Sequence, residues 1–451
     1  MMNRGSQPGS QPGSQPGSQP GSQSGSQSCQ MTFLRVGLAL FILTLAAGCA
    51  TGCATVKDGD SWSSKSQSAR SAPTTIGDRP LHEPDGSNRA IAAVPDASRA
   101  DVPTLAAPST IYEPTEPVEP SALRAKAIAV AQEASRSTSP IVRAHAIEAL
   151  GSAPEELDAV AGRGLVDANR GVRFVAVLSL AKAKRCGLAH LIEPLAHDDS
   201  ASVRAAALAA LQMCGRSPDL SPFAEMVRSD DPEVRANAYL ALGVIGDPSA
   251  IGLVRHSVGA GFALTDHTRV RVVELQAAEC LVRLGRTIDV EPIRAALWAP
   301  AEQGGLSAIA CQMIGRLKDE RSRPMLERLV QADGQNARSA EIRLAAIDAL
   351  GRLGVSQALL LGELRPYLSS SDPGLRAQAA LALGADSASA AGGFGATSGS
   401  ESLALLAALL EDADPVVRVA AASSVLALLP GRAESPPRAM ADRAHARRKL
   451  L

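Results

Sequence analysis

Aromatic residues are nearly missing from this chain: six Phe, three Tyr and two Trp among 451 residues. A core must then be assembled from Ala, Leu, Val and Ile, which suits closely packed helices. The same scarcity excludes aromatic stacking platforms for nucleic-acid bases and aromatic-faced sugar sites. Net charge is missing too. With 45 Lys+Arg against 46 Asp+Glu the formal balance is −1, so neither a nucleic-acid footprint nor an acidic tail is implied. No Cys-x-x-Cys spacing occurs, which removes the common zinc frameworks. Cys29, Cys49 and Cys53 fall near the N-terminus, whereas Cys186, Cys214, Cys280 and Cys311 are scattered through helical sequence. There they read as small apolar packing residues. In an oxidising compartment a bridge between neighbouring helices, 186–214 or 280–311, stays open.

What is there begins with repetition of another kind. Residues 5–28 are six tetrads of Gly-Ser-Gln-Pro or Gly-Ser-Gln-Ser, with nothing to bury, so segment 1–30 is expected to be disordered if it is translated at all. Arg35 then precedes an uncharged apolar run from Val36 to Ala47, too short to span a bilayer and of signal-peptide length. Its ending, Leu45-Ala46-Ala47-Gly48-Cys49, resembles the lipobox of bacterial lipoproteins, although Leu45 stands four residues before Cys49 rather than three. That resemblance implies a signal peptide over 31–49, a start at Met31 and lipidation of Cys49. Gly52-Cys53 repeats the Gly-Cys step and makes Cys53 the alternative. Ala50 after the cysteine implies, by the same resemblance, an outer-membrane destination facing the periplasm. Residues 50–119 are rich in Ser, Pro, Ala and Asp and read as a disordered tether, reaching roughly 40–50 Å.

From Pro120 one pattern keeps returning: a cap-type residue, often Pro, a variable position, an aliphatic, Arg, then Ala and Leu at helical spacing, often ending in Leu-Gly. Alignment places Arg143, Arg173, Arg204, Arg235, Arg343, Arg376 and Arg418 at one position, with Glu274 and Ser307 in two weaker copies. Nine units result, spaced by 30, 31, 31, 39, 33, 36, 33 and 42 residues. Four residues before the Arg stand Ser139, Asn169, Ser200, Asp231, Ser339, Asp372 and Asp414, side chains able to accept from free N–H groups of a first helical turn. Pro140, Pro232, Pro373 and Pro415 follow at the position where a missing N–H costs nothing. In the fourth unit Val234, Ala238, Ala241, Leu242 and Ile245 share one stripe, which the helix must bury. A shorter apolar stretch precedes each such helix. Each unit is thus a helical hairpin that buries its stripe only by stacking on neighbours, giving an all-α solenoid, a superhelix of about nine hairpins over 120–430 with one continuous core.

These units resemble short HEAT repeats of the phycobilisome-lyase HEAT-like family. The resemblance implies that the recurring arginines belong to a structural ladder with acidic residues of the same or adjacent hairpins. It implies a scaffold role more than any one activity. Nine hairpins at roughly 8–10 Å each predict an arc of about 80 Å, with one helix of every pair on the inner curve. Two stretches, Gly259 to Arg269 and Ala385 to Glu401, exceed a hairpin turn and read as tolerated insertions.

Chemistry finds little support. A related HEAT-repeat di-iron hydroxylase uses His-Glu pairs from several repeats, and here the one such pair, His82-Glu83, lies in the tether. His145, His190, His197, His256, His267 and His445 have no Glu at the next position. Gly-rich segments lack the preceding strand of a phosphate loop, and no Gly-x-Ser-x-Gly elbow occurs. No metal, cofactor or catalytic set is expected.

One helical face does attract attention. Positions two, five and nine after the Arg lie away from the buried stripe. In units two and four the five-and-nine pair is Leu178 and Lys182, then Leu240 and Val244. In units five, six and seven it reads Glu279/Arg283, Gln312/Arg316 and Asp348/Arg352. These six form a candidate surface for an acidic peptide or protein partner, beside the plainer reading of solvated faces with i,i+4 support. The tail 431–451 carries Arg432, Arg438, Arg443, Arg447, Arg448 and Lys449 against Glu434 and Asp442, a solvated end or a contact for anionic polymer or lipid. The expectation is a non-enzymatic, lipid-anchored scaffold of the bacterial cell envelope that binds a protein or peptide and no nucleic acid. The alternative is a protein-modification or chaperone-like factor related to bilin lyases.

Overall fold

The computed structural model describes residues 119–258, 266–331, 337–385 and 398–431. The tetrads, signal segment, Cys49, Cys53, most of the tether, the centres of both insertions and the basic tail lie outside the described residues. The described residues form nine helical hairpins and no strand. The first helices of the hairpins are α1 Pro120–Ala134, α3 Pro154–Gly164, α5 Ala189–Ile192, α7 Phe223–Met226, α9 Ile251–Val258, α11 Glu291–Ala296, α13 Arg323–Gln331, α15 Gln357–Leu368 and α17 Ser398–Leu409. The second helices are α2 Pro140–Ala149, α4 Arg170–Lys182, α6 Ala201–Met213, α8 Pro232–Ile245, α10 His267–Arg283, α12 Gly304–Leu317, α14 Ala340–Arg352, α16 Pro373–Leu383 and α18 Pro415–Leu428.

The helix starts follow from local chemistry. Asn169 accepts from the N–H groups of Gly171 and Val172, and Asp231, Asp372 and Asp414 each accept from the N–H two residues on, at 2.8 Å. Ser139, Ser200 and Ser339 make no such side-chain bond, so the shorter hydroxyls do not fill the capping role expected of them. Asp266, within the longer fifth unit, caps α10 instead.

Successive hairpins are joined by an arginine–aspartate ladder. Arg143 gives Nε and Nη2 to Asp167 at 2.7 and 2.8 Å, and Nη1 to the carbonyls of Ser137 and Thr138 just before its own helix. Arg173 repeats this with Asp198 and the carbonyls of Asp167 and Ala168, and Arg376 with Asp412 and the carbonyls of Ser370 and Ser371. Each aspartate also takes the N–H two residues on, from Asn169, Ser200 and Asp414. Side chain and loop are therefore locked together by charge-assisted, bidentate bonds. Burial alone would raise these carboxyls, but the arginines and backbone N–H groups outweigh it and hold Asp167, Asp198 and Asp412 below the ordinary range. Where Ser307 replaces the arginine in unit six, Arg294 of α11 supplies the equivalent fork to Asp319 at 2.8 and 2.6 Å.

The expected open arc does not stay open. Each second helix packs on the next from α2 through α18, and α18 then packs on both α1 and α2, so the solenoid closes into a ring. An ion pair between Lys126 and Glu411 spans the seam. The second helices make the inner wall. The Leu-Gly step of the repeat is part of what lets them pass so closely. A Cβ on Gly243 would sit 3.1 Å from Cδ of Arg283, and one on Gly315 would sit 3.0 Å from Cα of Ala349. The core is also less continuous than the repeat pattern implies, since it divides into a large cluster running from Leu123 to Leu428 and a smaller one of units three to five around Phe223 and Tyr239. Helices α6, α8 and α10 turn one face to each.

The tightest approach is Gly384, the C-cap of α16, whose added Cβ would lie 2.5 Å from Cβ and 2.6 Å from Cα of Ser424 on α18. Backbone cannot swing aside as a flexible side-chain end can. Gly384→Ala is expected to lower the unfolding free energy by about 1–3 kcal/mol. Gly151→Ala, with nothing within 4 Å of the new carbon, should leave the unfolding free energy from urea titration within about 1 kcal/mol of the parent.

Candidate functional site

Five residues beyond the arginine position, the side chains of the inner wall turn toward the ring's interior. In units two and four this register holds Leu178 and Leu240, which are buried in the large core cluster and close that side with apolar packing. Unit three has Ala209 and unit eight Leu381 in this register, the other five units are polar there, and a cavity of about 290 Å³ opens between α2, α4, α12, α14, α16 and α18. Its wall includes His145, Glu148, Lys182, Gln312, Arg316, Asp348, Arg352, Gln378 and Ser423.

The six candidate residues are placed together along this wall. Glu279, with 2% of its side chain exposed, accepts from Nε and Nη2 of Arg283 at 3.2 and 2.8 Å and from Nε and Nη2 of Arg316 at 3.0 and 2.7 Å. One carboxylate thus bridges units five and six. Asp348 accepts from Nε and Nη2 of Arg352 at 2.8 and 3.2 Å. Gln312, Arg316, Asp348 and Arg352 border the cavity, while Glu279 and Arg283 stand behind it. Four of the six stripe residues thus border the lumen rather than a broad concave face.

Electrostatics there is dominated by mutual compensation. Burial would raise Glu279, yet the Coulombic pull and hydrogen bonds of Arg316 and Arg283 outweigh it and hold the carboxyl at about 2. Burial also opposes the charged form of Glu148, but the neighbouring His145 imidazole, with Nδ1 3.8 Å away, and the charges of Lys182 and Arg316 bring it below the ordinary range. Lys182 has the opposite balance. Although the residue is exposed, desolvation by the surrounding wall, with repulsion from Arg316 and Arg283, lowers its pKa against the pull of Glu148 and Glu279. Lys182 makes no hydrogen bond or ion pair within 4 Å among the described residues.

His145, Glu148 and Gln378 were not singled out by the sequence, although they occupy the same two-and-five register in units one and eight. The signal was present in the repeat phase. What was missing was closure, which sets units eight, nine, one and two around the same space as six and seven.

The thiols are assigned as well. Cys186 and Cys214 are joined by a disulfide with their Cα atoms 5.3 Å apart, whereas Cys280 and Cys311 are free and buried. Burial pushes the Cys280 thiol up to about 12 and that of Cys311 higher still, which makes both poor nucleophiles. Among the described residues no three His, Cys, Asp or Glu side chains gather as a metal site would need, and no helix is long and apolar enough to cross a membrane.

Replacing Glu279 by Gln leaves two guanidinium groups without their shared anion. A loss of about 2–4 kcal/mol is expected in chemical denaturation. Because the folded carboxyl lies at about 2, below the roughly 4.3 of an unfolded Glu, its stabilising contribution is complete above pH 4.3 and disappears as pH falls toward 2. The Gln variant should lack that part of the acid-side slope.

A search of the curated proteins finds none that matches this chain. A profile of the HEAT repeats family matches residues 188–261 and 334–426, units that lie in two separate arcs of the ring. The chain is therefore built at least in those arcs from HEAT repeats, an architecture that generally serves protein interaction.

Proposed function

We propose that this chain is a non-enzymatic HEAT-repeat scaffold, tethered outside the cytoplasm by a lipid on Cys49, with Cys53 as the alternative, and that it receives an acidic segment of a protein partner at the mouth of its lumen. The observation that carries the partner's chemistry is the bridge at Glu279: one carboxylate faces two guanidinium groups, so that the wall holds an excess cation in a confined space. In such a space a pair of charges is screened less than at an open surface. The Cys186–Cys214 disulfide supports the extracytoplasmic part of the reading, because such bonds persist in oxidising compartments. The envelope location, and the outer membrane in particular, rests on the lipobox-like sequence around Cys49.

Two measurements test this. Cells fed labelled palmitate should incorporate it into the wild-type chain and into Cys53→Ala but not into Cys49→Ala. Label that disappears only with Cys53→Ala would move the anchor, and no label at all would end the anchored reading. A fluorescent peptide of alternating Asp and Glu should bind the full chain and weaken about tenfold or more when Arg283 and Arg352 are both changed to Gln, a substitution that leaves the Arg316–Glu279 bridge in place. Binding should also weaken steeply with added salt. Equal affinity for both proteins would remove the inner wall from partner recognition.

A further inference from the structure

Ring closure creates a second kind of recognition site, independent of any protein partner. The charged groups bordering the 290 Å³ cavity are Lys182, Arg316 and Arg352 against Glu148 and Asp348. Three cations against two carboxylates leave one positive charge. Arg316 and Arg352 are already engaged through Nε and Nη2, by Glu279 and Asp348 respectively. Lys182 alone of the three makes neither a hydrogen bond nor an ion pair among the described residues. Two further lining residues hold unused hydrogen-bonding capacity just beneath the cavity surface: Nε2 of His145 and Oε1 of Gln378 have no partner among the described residues and are themselves closed off from solvent, so a ligand meets them only once the imidazole or the amide turns toward the cavity. Buried polar atoms of this kind are uncommon in native proteins and ask for a partner.

We infer that the lumen binds a small organic monocarboxylate, its carboxylate on the Lys182 ammonium and its polar body against His145 and Gln378. One excess positive charge is neutralised by one carboxylate. A phosphate near −2 would overshoot that balance and meet Glu148 and Asp348 as like charges. The volume suits a compact molecule of a few carbon atoms with attached hydroxyls, below the size of ordinary drug pockets. Imidazole Nε2 can accept from or donate to such a hydroxyl according to tautomer, and the Gln378 amide can present either end. The site takes residues from units one and two on one flank and from six to nine on the other, so it exists only in the closed ring.

The test titrates the full chain with lactate, glycerate and inorganic phosphate, by calorimetry and by the shift in melting temperature. The expected result is saturable binding of lactate or glycerate with a raised melting temperature, and phosphate weaker than either. Lys182→Met should bind at least about tenfold more weakly, while Lys182→Arg retains most of the affinity. Gln378→Leu should weaken binding to a smaller degree. Circular dichroism and the melting temperature of each unliganded variant establish that it is folded. The Met variant is expected to be about as stable as the parent, since it removes a solvent-exposed cation that makes no ion pair. Failure of both monocarboxylates to bind, phosphate binding as well as they do, or affinity unchanged in a folded Lys182→Met protein would each overturn the assignment. Loss of acidic-peptide binding in Arg283→Gln by itself, at a residue outside the cavity lining, bears on the scaffold reading alone.

Discussion

An inner helix of this protein has a helix on either flank, and every other feature depends on that. Nine second helices lie side by side, and the ninth meets the first, so no terminal unit is left to cover its apolar face with capping sequence. The contact distance is set by Ala along the stripe and by glycine at the Leu-Gly step, where Gly243, Gly315 and Gly384 each give passage to the following helix. A larger side chain at these points would widen the spacing, and small increments at successive units would carry α18 away from α2.

Two electrostatic systems sit on the two edges of that helical wall and do different work. The ladder of Arg143, Arg173 and Arg376 with Asp167, Asp198 and Asp412 fixes the loops between hairpins, each aspartate being held by side chain and by backbone at once. Bidentate geometry makes arginine hard to replace by lysine there. The lumen system is less symmetrical: Glu279 serves two arginines, Asp348 serves one, and Lys182 serves none within reach. The first system recurs at three of the seven aligned arginines, while Arg204 and Arg418 bond backbone carbonyls of their own loops and Arg343 pairs with Glu363. The second varies from unit to unit, as binding surfaces do when a scaffold is held constant.

Much of the fold was legible in the residues. Pro140, Pro232, Pro373 and Pro415 begin helices, the aligned arginines sit one turn in, and the apolar stripe faces inward to the stack, all because helical period and capping chemistry act over a few residues. The serine caps do not form at Ser139, Ser200 and Ser339, where the hydroxyl makes no bond to the first-turn N–H groups. Closure was not legible, because curvature is a sum of small rotations between units and no single residue encodes it. For the same reason the six residues of units five to seven could be seen as a stripe, while their neighbours His145, Glu148 and Gln378 could not be joined to them. The choice between the two cysteine pairings likewise needed the fold: both are separated by about one repeat, and only 186 and 214 fall at adjoining helix ends.

The seam between α18 and α2 joins segments separated by some 270 positions, whereas nearly every other contact in the ring is between neighbours in sequence. Hairpins emerging one after another from a ribosome or a translocation channel can stack as they appear, but the final docking waits for the last of them. The lumen therefore comes into being in one late step, and a chain cut short by even a single repeat is a helical stack with no enclosed interior.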